Sequence, residues 1–182
     1  QWEMEPTKLN PTIMERVPVN VSYQDMYFPN DLYQIMPKYG FTHIFENMLN
    51  HPNINVKLNS NILDSLTFEK DGIYYEGKVF EGEVIFTGCI DELFNYKYGK
   101  LPYRTLDFEF ETHNITSYQE ASVVNYPNEE AYTRISEFSK FTCKPVENYT
   151  IIVKEYPRSH KLGDIPYYPI EIKENISLYQ KY

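Results

Sequence analysis

The sequence predicts an α+β protein: short helices and a mobile loop, a small α/β return segment, then a mainly antiparallel sheet. Three observations predict it. Leu106, Phe108 and Phe110 alternate with Asp107, Glu109 and Glu111, the period-two pattern of a strand with one face on a core and one on water. Phe41, Ile44, Phe45, Met48 and Leu49 recur at i, i+3, i+4, i+7 and i+8, the apolar stripe of an amphipathic helix. Val84, Ile85 and Phe86 run into Thr87 and Gly88 and then a short helical stretch. That is the strand–turn–helix of an α/β unit, where ligands meet the C-terminal end of the strand.

Taken in order, residues 1–15 read as the end of one helix and a short second one, with Pro6 and Pro11 suited to turns or first-turn positions. Residues 16–37 have no sustained period but carry Pro18, Pro29, Pro37 and the rings of Tyr23, Tyr27, Phe28 and Tyr33. A loop of that length in a compact domain is usually functional. Residues 40–50 form the amphipathic helix, stopped before Pro52, and residues 53–58 a short strand. Asp71-Gly72 marks a hairpin within 66–76, with a second turn near Gly77. Residues 84–88 form the apolar strand and 90–96 its helix. Beyond Pro102, strands are expected at 121–126, 131–137, 149–155 and 167–172, and a helix begins at Lys173.

Residues 123–138, VVNYPNEEAYTRISEF, place a polar turn between two strand-like runs. Alternation along the second run puts Tyr132 and Arg134 on one face and Thr133 on the other. Glu129, Glu130 and Glu137 lie close by in sequence, so Arg134 either pairs with one of them on a solvated face or joins a Tyr in binding phosphate.

Composition narrows the function. With 42% hydrophobic and 24% charged residues the chain is globular, and 18 of its residues are Tyr. Tyr joins a flat apolar face to a phenolic donor, which suits sugar, base and phosphate contacts. A formal charge of -9 argues against nucleic acid, whose backbone needs a basic face, but not against one small anion. Cys89 and Cys143 have no CxxC spacing, which indicates a reducing compartment, the cytoplasm. His43, His51, His113 and His160 lack ligand spacing, so no metal site is expected. Sequons at Asn20, Asn114, Asn148 and Asn175 are chance matches in an Asn-rich chain. No apolar run is long enough to span a bilayer, so no membrane partner is expected. The absence of an initiator Met and a helix just beginning at Lys173 suggest a piece of a larger protein.

No GxGxxG, GxSxG, Walker A or HExxH string is present, nor a recognisable nucleophile–base pair. Longer strings go further. In order, the chain carries Glu15-Arg16-Val17-Pro18-Val19; Tyr27-Phe28 with Tyr33-Gln34 and Pro37; Phe86-Thr87-Gly88 with Ile90-Asp91 and Phe94; Tyr103-Arg104-Thr105-Leu106; Tyr132-Thr133-Arg134; Glu155-Tyr156-Pro157; and Gly163-Asp164 with Pro166-Tyr167-Tyr168-Pro169. Together these closely resemble UDP-galactopyranose mutases of the bacterial type, across essentially the whole chain.

The resemblance implies an FAD enzyme that interconverts UDP-galactopyranose and UDP-galactofuranose for cell-surface glycans. The reduced flavin, the active form, displaces UDP from the anomeric carbon, and the sugar opens and recloses at the other ring size. The cofactor carries the hard chemistry, which fits the missing triad. The resemblance also implies a division: residues 1–39 end a helical substrate domain with its mobile loop, 40–100 are part of the flavin domain, 101–172 the antiparallel sheet, and 173–182 start a helix. Most of the flavin site, including the GxGxxG turn and a C-terminal Gly-Gly-Arg stretch, would lie outside this chain. Departures from the family pattern are Glu3 where a Gly follows the Trp, Lys38-Tyr39-Gly40 for a Gly-Gly pair, Cys89 for a Pro, and one extra residue near Pro29.

Residue by residue, the resemblance makes Arg16 the loop Arg that closes on the UDP diphosphate and Arg134 the fixed Arg that meets it, both counted as catalytic. Two Arg on a diphosphate form strong charge-assisted contacts, and the charge they hold departs with the leaving group. Tyr27 and Tyr168 match diphosphate-binding tyrosines, Trp2 the Trp beside uridine and sugar, and Asn125 a substrate-side Asn. Thr87 and Gly88 match the turn that passes the flavin. Each has a plainer alternative: a surface cation for Arg16, a core ring for Tyr168, a packing residue for Trp2, an ordinary turn at Thr87-Gly88. Implied partners are UDP-galactose and FAD, with a homo-oligomer of the full-length enzyme left open. The competing readings are a free-standing UDP-sugar-binding module without catalytic activity and a purely structural sheet protein.

Overall fold

The computed structural model describes residues 2–15, 21, 28, 30–142 and 147–182. Arg16, Tyr27 and Cys143, and most of the expected mobile loop, lie outside the described residues. The fold is α+β, and the chain divides into two compact units, one of Gln1–Lys38 with Leu101–Lys181 and one of Tyr39–Lys100 with Tyr182.

In the second unit, helix α2 (Gly40–Leu49) forms where the apolar stripe requires it, yet Phe41, Ile44, Phe45, Met48 and Leu49 are all exposed. The period produces the helix, but the described residues supply no core for its stripe. Strands β1 (Leu66–Glu69), β2 (Gly72–Tyr75) and β3 (Lys78–Val79) form an antiparallel meander. Register pairs Glu69 with Gly72 and Tyr75 with Lys78, leaving two-residue loops. The second loop, Glu76-Gly77, has φ 49° and 74°, the left-handed pair of a tight hairpin turn. Residues 53–58 and 84–87, expected as strands, form none among the described residues. Apolar β-formers supply an extended chain, not a partner. Helix α3 stops at Ile90–Leu93 because Asn95 and Tyr96 take φ 49° and 55°, which a right-handed helix cannot continue through.

In the first unit, helix α1 (Thr12–Glu15) and a single turn at Pro6–Lys8 precede a five-stranded antiparallel sheet. Its strands are β4 (Tyr103–His113), β5 (Val123–Asn125), β6 (Arg134–Glu137), β7 (Thr150–Ser159) and β8 (Tyr168–Pro169), in the order β5-β6-β7-β4-β8. Helix α4 (Phe138–Thr142) follows β6 directly, and α5 (Lys173–Tyr179) follows β8. Strand β7 runs longer than its apolar pattern suggests because it pairs with β4 over ten positions. Strand β8 is only two residues long: Pro166 and Pro169 have no N–H to give a ladder.

The register sorts every residue onto a face, since opposed residues in an antiparallel ladder point the same way. Asn125, Arg134, Glu155 and Phe108 form one cross-strand row, and Ser159, Arg104 and Tyr168 another. Glu155 and Ser159 are four apart on β7, so both rows share a face. Phe108 and Phe110 point there too but stay exposed, against Tyr167 and Phe138 respectively; of that apolar set only Leu106 is buried. The opposite face carries Asp107, Glu109 and Glu111, which meet Arg158 at 2.8 Å, the Tyr156 hydroxyl at 2.7 Å, and Lys154, all diagonally across the ladder. At the β6–β7 end that opposite face becomes a core of Ile135 and Ile152.

Candidate functional site

Six of the eight residues expected at a site by sequence are described: Trp2, Asn125, Arg134 and Tyr168 in the sheet unit, and Thr87 and Gly88 on their turn. Arg134 opens β6, opposite Asn125 on β5 and Glu155 on β7. Its Nη2 lies 3.0 Å from Glu155 Oε2, with the two side chains 37% and 11% exposed. The carboxylate partner is thus Glu155 across the ladder, not Glu129, Glu130 or Glu137. Arg134 Nε is buried and has no hydrogen-bond partner among the described residues, a donor left for an acceptor to satisfy. Asn125 is exposed beside it.

Tyr132 does not join Arg134. The chain bends at Thr133 and the strand starts only at Arg134. The Tyr132 ring meets Tyr126 at 5.0 Å and Tyr156 at 5.9 Å, with Lys154 Nζ 5.5 Å from its centroid. Tyr156 and Lys154 belong to the opposite face. Strict alternation assumes an unbroken strand, and the bend breaks it.

At the other end of the face, Tyr168 sits opposite Arg104, and Trp2 meets the Tyr168 ring edge-on at 5.9 Å and 67°. Arg104 is buried; its Nη1 donates to Glu3 Oε2 at 2.9 Å and to Ser159 Oγ at 3.1 Å. Ring contacts at 5.9, 6.5 and 5.7 Å link Trp2, Tyr168, Tyr167 and Phe108 in a chain. Phe108 is in the Arg134 row with Glu155 between them, so the aromatic track runs from the Trp2 end as far as that row. Ladder spacings of about 3.4 Å along and 4.8 Å across put the Cα atoms of Tyr168 and Arg134 roughly 20 Å apart.

Thr87 and Gly88 lie in the other unit, both exposed. A Cβ on Gly88 would come within 2.5 Å of the tip of the Phe86 ring, so a side chain there would displace that ring. Among the described residues no group of His, Cys, Asp and Glu is placed to hold a metal ion, and no helix is long and apolar enough to cross a membrane.

Sequence reasoning missed Glu155 and Glu3 as partners of the two buried or half-buried guanidiniums, and Phe108 and Tyr167 as the track between them. Parity along β4 and β7 puts Arg104, Phe108, Glu155 and Ser159 on one face once the register is known, and only then.

Residues 1–182, the whole chain, match the family model for UDP-galactopyranose mutase. The chain belongs to the UDP-galactopyranose mutase family. Similar curated proteins include a dTDP-fucopyranose mutase of Escherichia coli, 37% identical over all of this chain and 47% of that protein. A probable UDP-galactopyranose mutase of Klebsiella pneumoniae is 37% identical over all of this chain and 44% of its own length. A UDP-galactopyranose mutase of Mycoplasma genitalium is 34% identical over 46% of its own length. The chain spans about half the length of these curated relatives. In this mutase-family sheet, the exposed face can offer a fixed cation and an amide at one end and an aromatic pair at the other. That is chemistry for an elongated ligand with an anionic part and a flat or sugar part.

Proposed function

We propose that the chain is the central, substrate-binding part of a cytoplasmic FAD-dependent isomerase that interconverts UDP-galactopyranose and UDP-galactofuranose for cell-surface glycan synthesis. The observation that carries this is the placement of Asn125, Arg134, Tyr168 and Trp2 on or over one sheet face in a chain that matches the family throughout. In this reading Arg134 holds the diphosphate, and Glu155 keeps its guanidinium oriented before the ligand arrives. Tyr168, matched by resemblance to a diphosphate-binding Tyr, starts at the far end of the face from Arg134, so in this reading it lies with Trp2 along the nucleoside and sugar, and Asn125 contacts the substrate beside Arg134. Arg16 and Tyr27 join them from the loop. The exposed Thr87-Gly88 backbone fits a contact with flavin; bound reduced FAD would supply the nucleophile for the anomeric carbon.

The 182-residue chain alone is expected to purify colourless and without mutase activity, while a full-length protein containing it binds FAD and turns over when reduced. Absorbance near the flavin bands and product analysis test both. A chain that retained stoichiometric FAD would overturn the division proposed here.

A second substrate reading has a specific support: the relative named for dTDP-fucopyranose is as similar as one named for UDP-galactopyranose. Parallel assays with UDP-galactopyranose and dTDP-fucopyranose separate the two. A kcat/KM higher for the dTDP-sugar would replace the substrate while leaving the reaction class in place.

A further inference from the structure

Two consecutive residues, Trp2 and Glu3, touch two residues that face each other across the β4–β8 ladder. Trp2 meets the Tyr168 ring at 5.9 Å, and Glu3 Oε2 meets Arg104 Nη1 at 2.9 Å. A two-point attachment restrains both translation and rotation of a short segment, which one contact cannot do. Glu3 adopts φ 51°, a left-handed conformation that a non-glycine residue keeps only where its surroundings enforce it. The surroundings here are a guanidinium whose side chain is 3% exposed. A cation so buried needs charge and hydrogen-bond compensation, and the Glu3 carboxylate supplies charge. Arg104 in turn holds that carboxylate below the usual range through their hydrogen bond and charge.

We infer that Glu3 is a positioning residue whose clasp on Arg104 holds Trp2 against Tyr168, setting this aromatic pair to receive the nucleoside end of the substrate. The inference rests on the substrate site proposed above. The clasp itself does not, because it concerns the placement of Trp2. The segment is anchored further on by Leu9, Ile13 and the Asn10 N–H bond to Glu171, so without the carboxylate its Trp2–Glu3 end loses the Arg104 attachment, and the ligand must order that end on binding.

Trp2 is the only tryptophan of the chain, so its emission reports the clasp directly. In the 182-residue chain, Glu3→Ala is expected to red-shift Trp2 emission and raise its quenching by acrylamide. Glu3→Gln, which keeps an acceptor for Arg104, should fall between. Glu3→Gly removes the carboxylate but accepts φ 51° without strain, so it should behave as Glu3→Ala does. In the full-length enzyme Glu3→Ala should raise the KM for the UDP-sugar about tenfold, with kcat nearly unchanged. The same change should have little further effect when Trp2 is already Ala. Unaltered emission in Glu3→Ala, or wild-type emission in Glu3→Gly, would overturn the clasp. An effect on KM that simply adds to that of Trp2→Ala would overturn the positioning role. A full-length enzyme that UDP-sugar never saturates would instead sink the substrate assignment, leaving the clasp to stand or fall on the emission data alone.

Discussion

Arg134→Ala in the full-length enzyme is expected to lower turnover by roughly a hundredfold or more, the scale of losing one preorganised transition-state donor. Arg134 sits on a strand between Asn125 and Glu155, and the Glu155 carboxylate already fixes its Nη2 at 3.0 Å. A donor held that way costs little to arrange at the moment the diphosphate departs. On the proposed reading Arg16 would have to be ordered each time it engages, so Arg16→Ala should lose more in KM than in kcat. Removing Arg134 also strands a nearly buried carboxylate, so a second variant is needed. Arg134→Lys keeps a cation for Glu155 but not the planar fork. It should fold like the parent and still turn over poorly. Steady-state rates of the reduced enzyme decide this. Near-normal kcat with only a raised KM would make Arg134 a binding residue or a plain surface ion pair, and the role assigned to the β5–β6 hairpin would be wrong.

Glu137→Ala is expected to destabilise the sheet unit by about 3–5 kcal/mol, the scale of breaking a buried charged contact. Glu137 is 0% exposed. Its carboxylate accepts the Tyr118 and Gln119 N–H groups at 2.9 and 3.1 Å and the Thr150 hydroxyl at 2.8 Å. Alanine would take the acceptor from the Tyr118 and Gln119 N–H groups and leave the buried Thr150 hydroxyl with Ser139 Oγ at 3.2 Å. The loss should appear as a lower denaturation midpoint with unchanged slope.

The same site predicts a pH dependence. Burial pushes the Glu137 carboxyl up, but the Tyr118 N–H, the Thr150 hydroxyl and the Gln119 N–H together pull it below the ordinary value of 4.5. A group depressed on folding stabilises above its unfolded value, and that contribution disappears as pH falls through the folded one. The parent should therefore lose stability below about pH 4.5 more steeply than Glu137→Gln does. Superimposable acid limbs for the two proteins would show that Glu137 is not the ionised acceptor described here.

Some of this could be read without coordinates. Helix α2, the β1–β2 hairpin, β4 and α5 each have a local cause: a 3.6-residue stripe, a Gly-containing turn, a two-residue alternation, a helix-forming run after Pro169. The family strings are also local and carry Arg134 and Tyr168; the resemblance they establish implied Trp2 and Asn125. Local signals failed where the outcome depended on a partner. Residues 53–58 and 84–87 are strand-like in sequence but form no strand among the described residues. Tyr132, expected beside Arg134, turned to the opposite face because the chain bends at Thr133.

By itself, then, the sequence determined the elements with a local cause, the family, and which residues carry cationic and aromatic chemistry. Only the tertiary structure decided that Glu155 rather than Glu129, Glu130 or Glu137 faces Arg134, that Glu137 is buried under three donors, and that Glu3 reaches Arg104 across about a hundred residues. The physical reason is register. The side-chain period along a strand is a local property, whereas the slip of one strand against another is set by contacts between distant segments. A shift of one residue would move every one of these side chains to the other face.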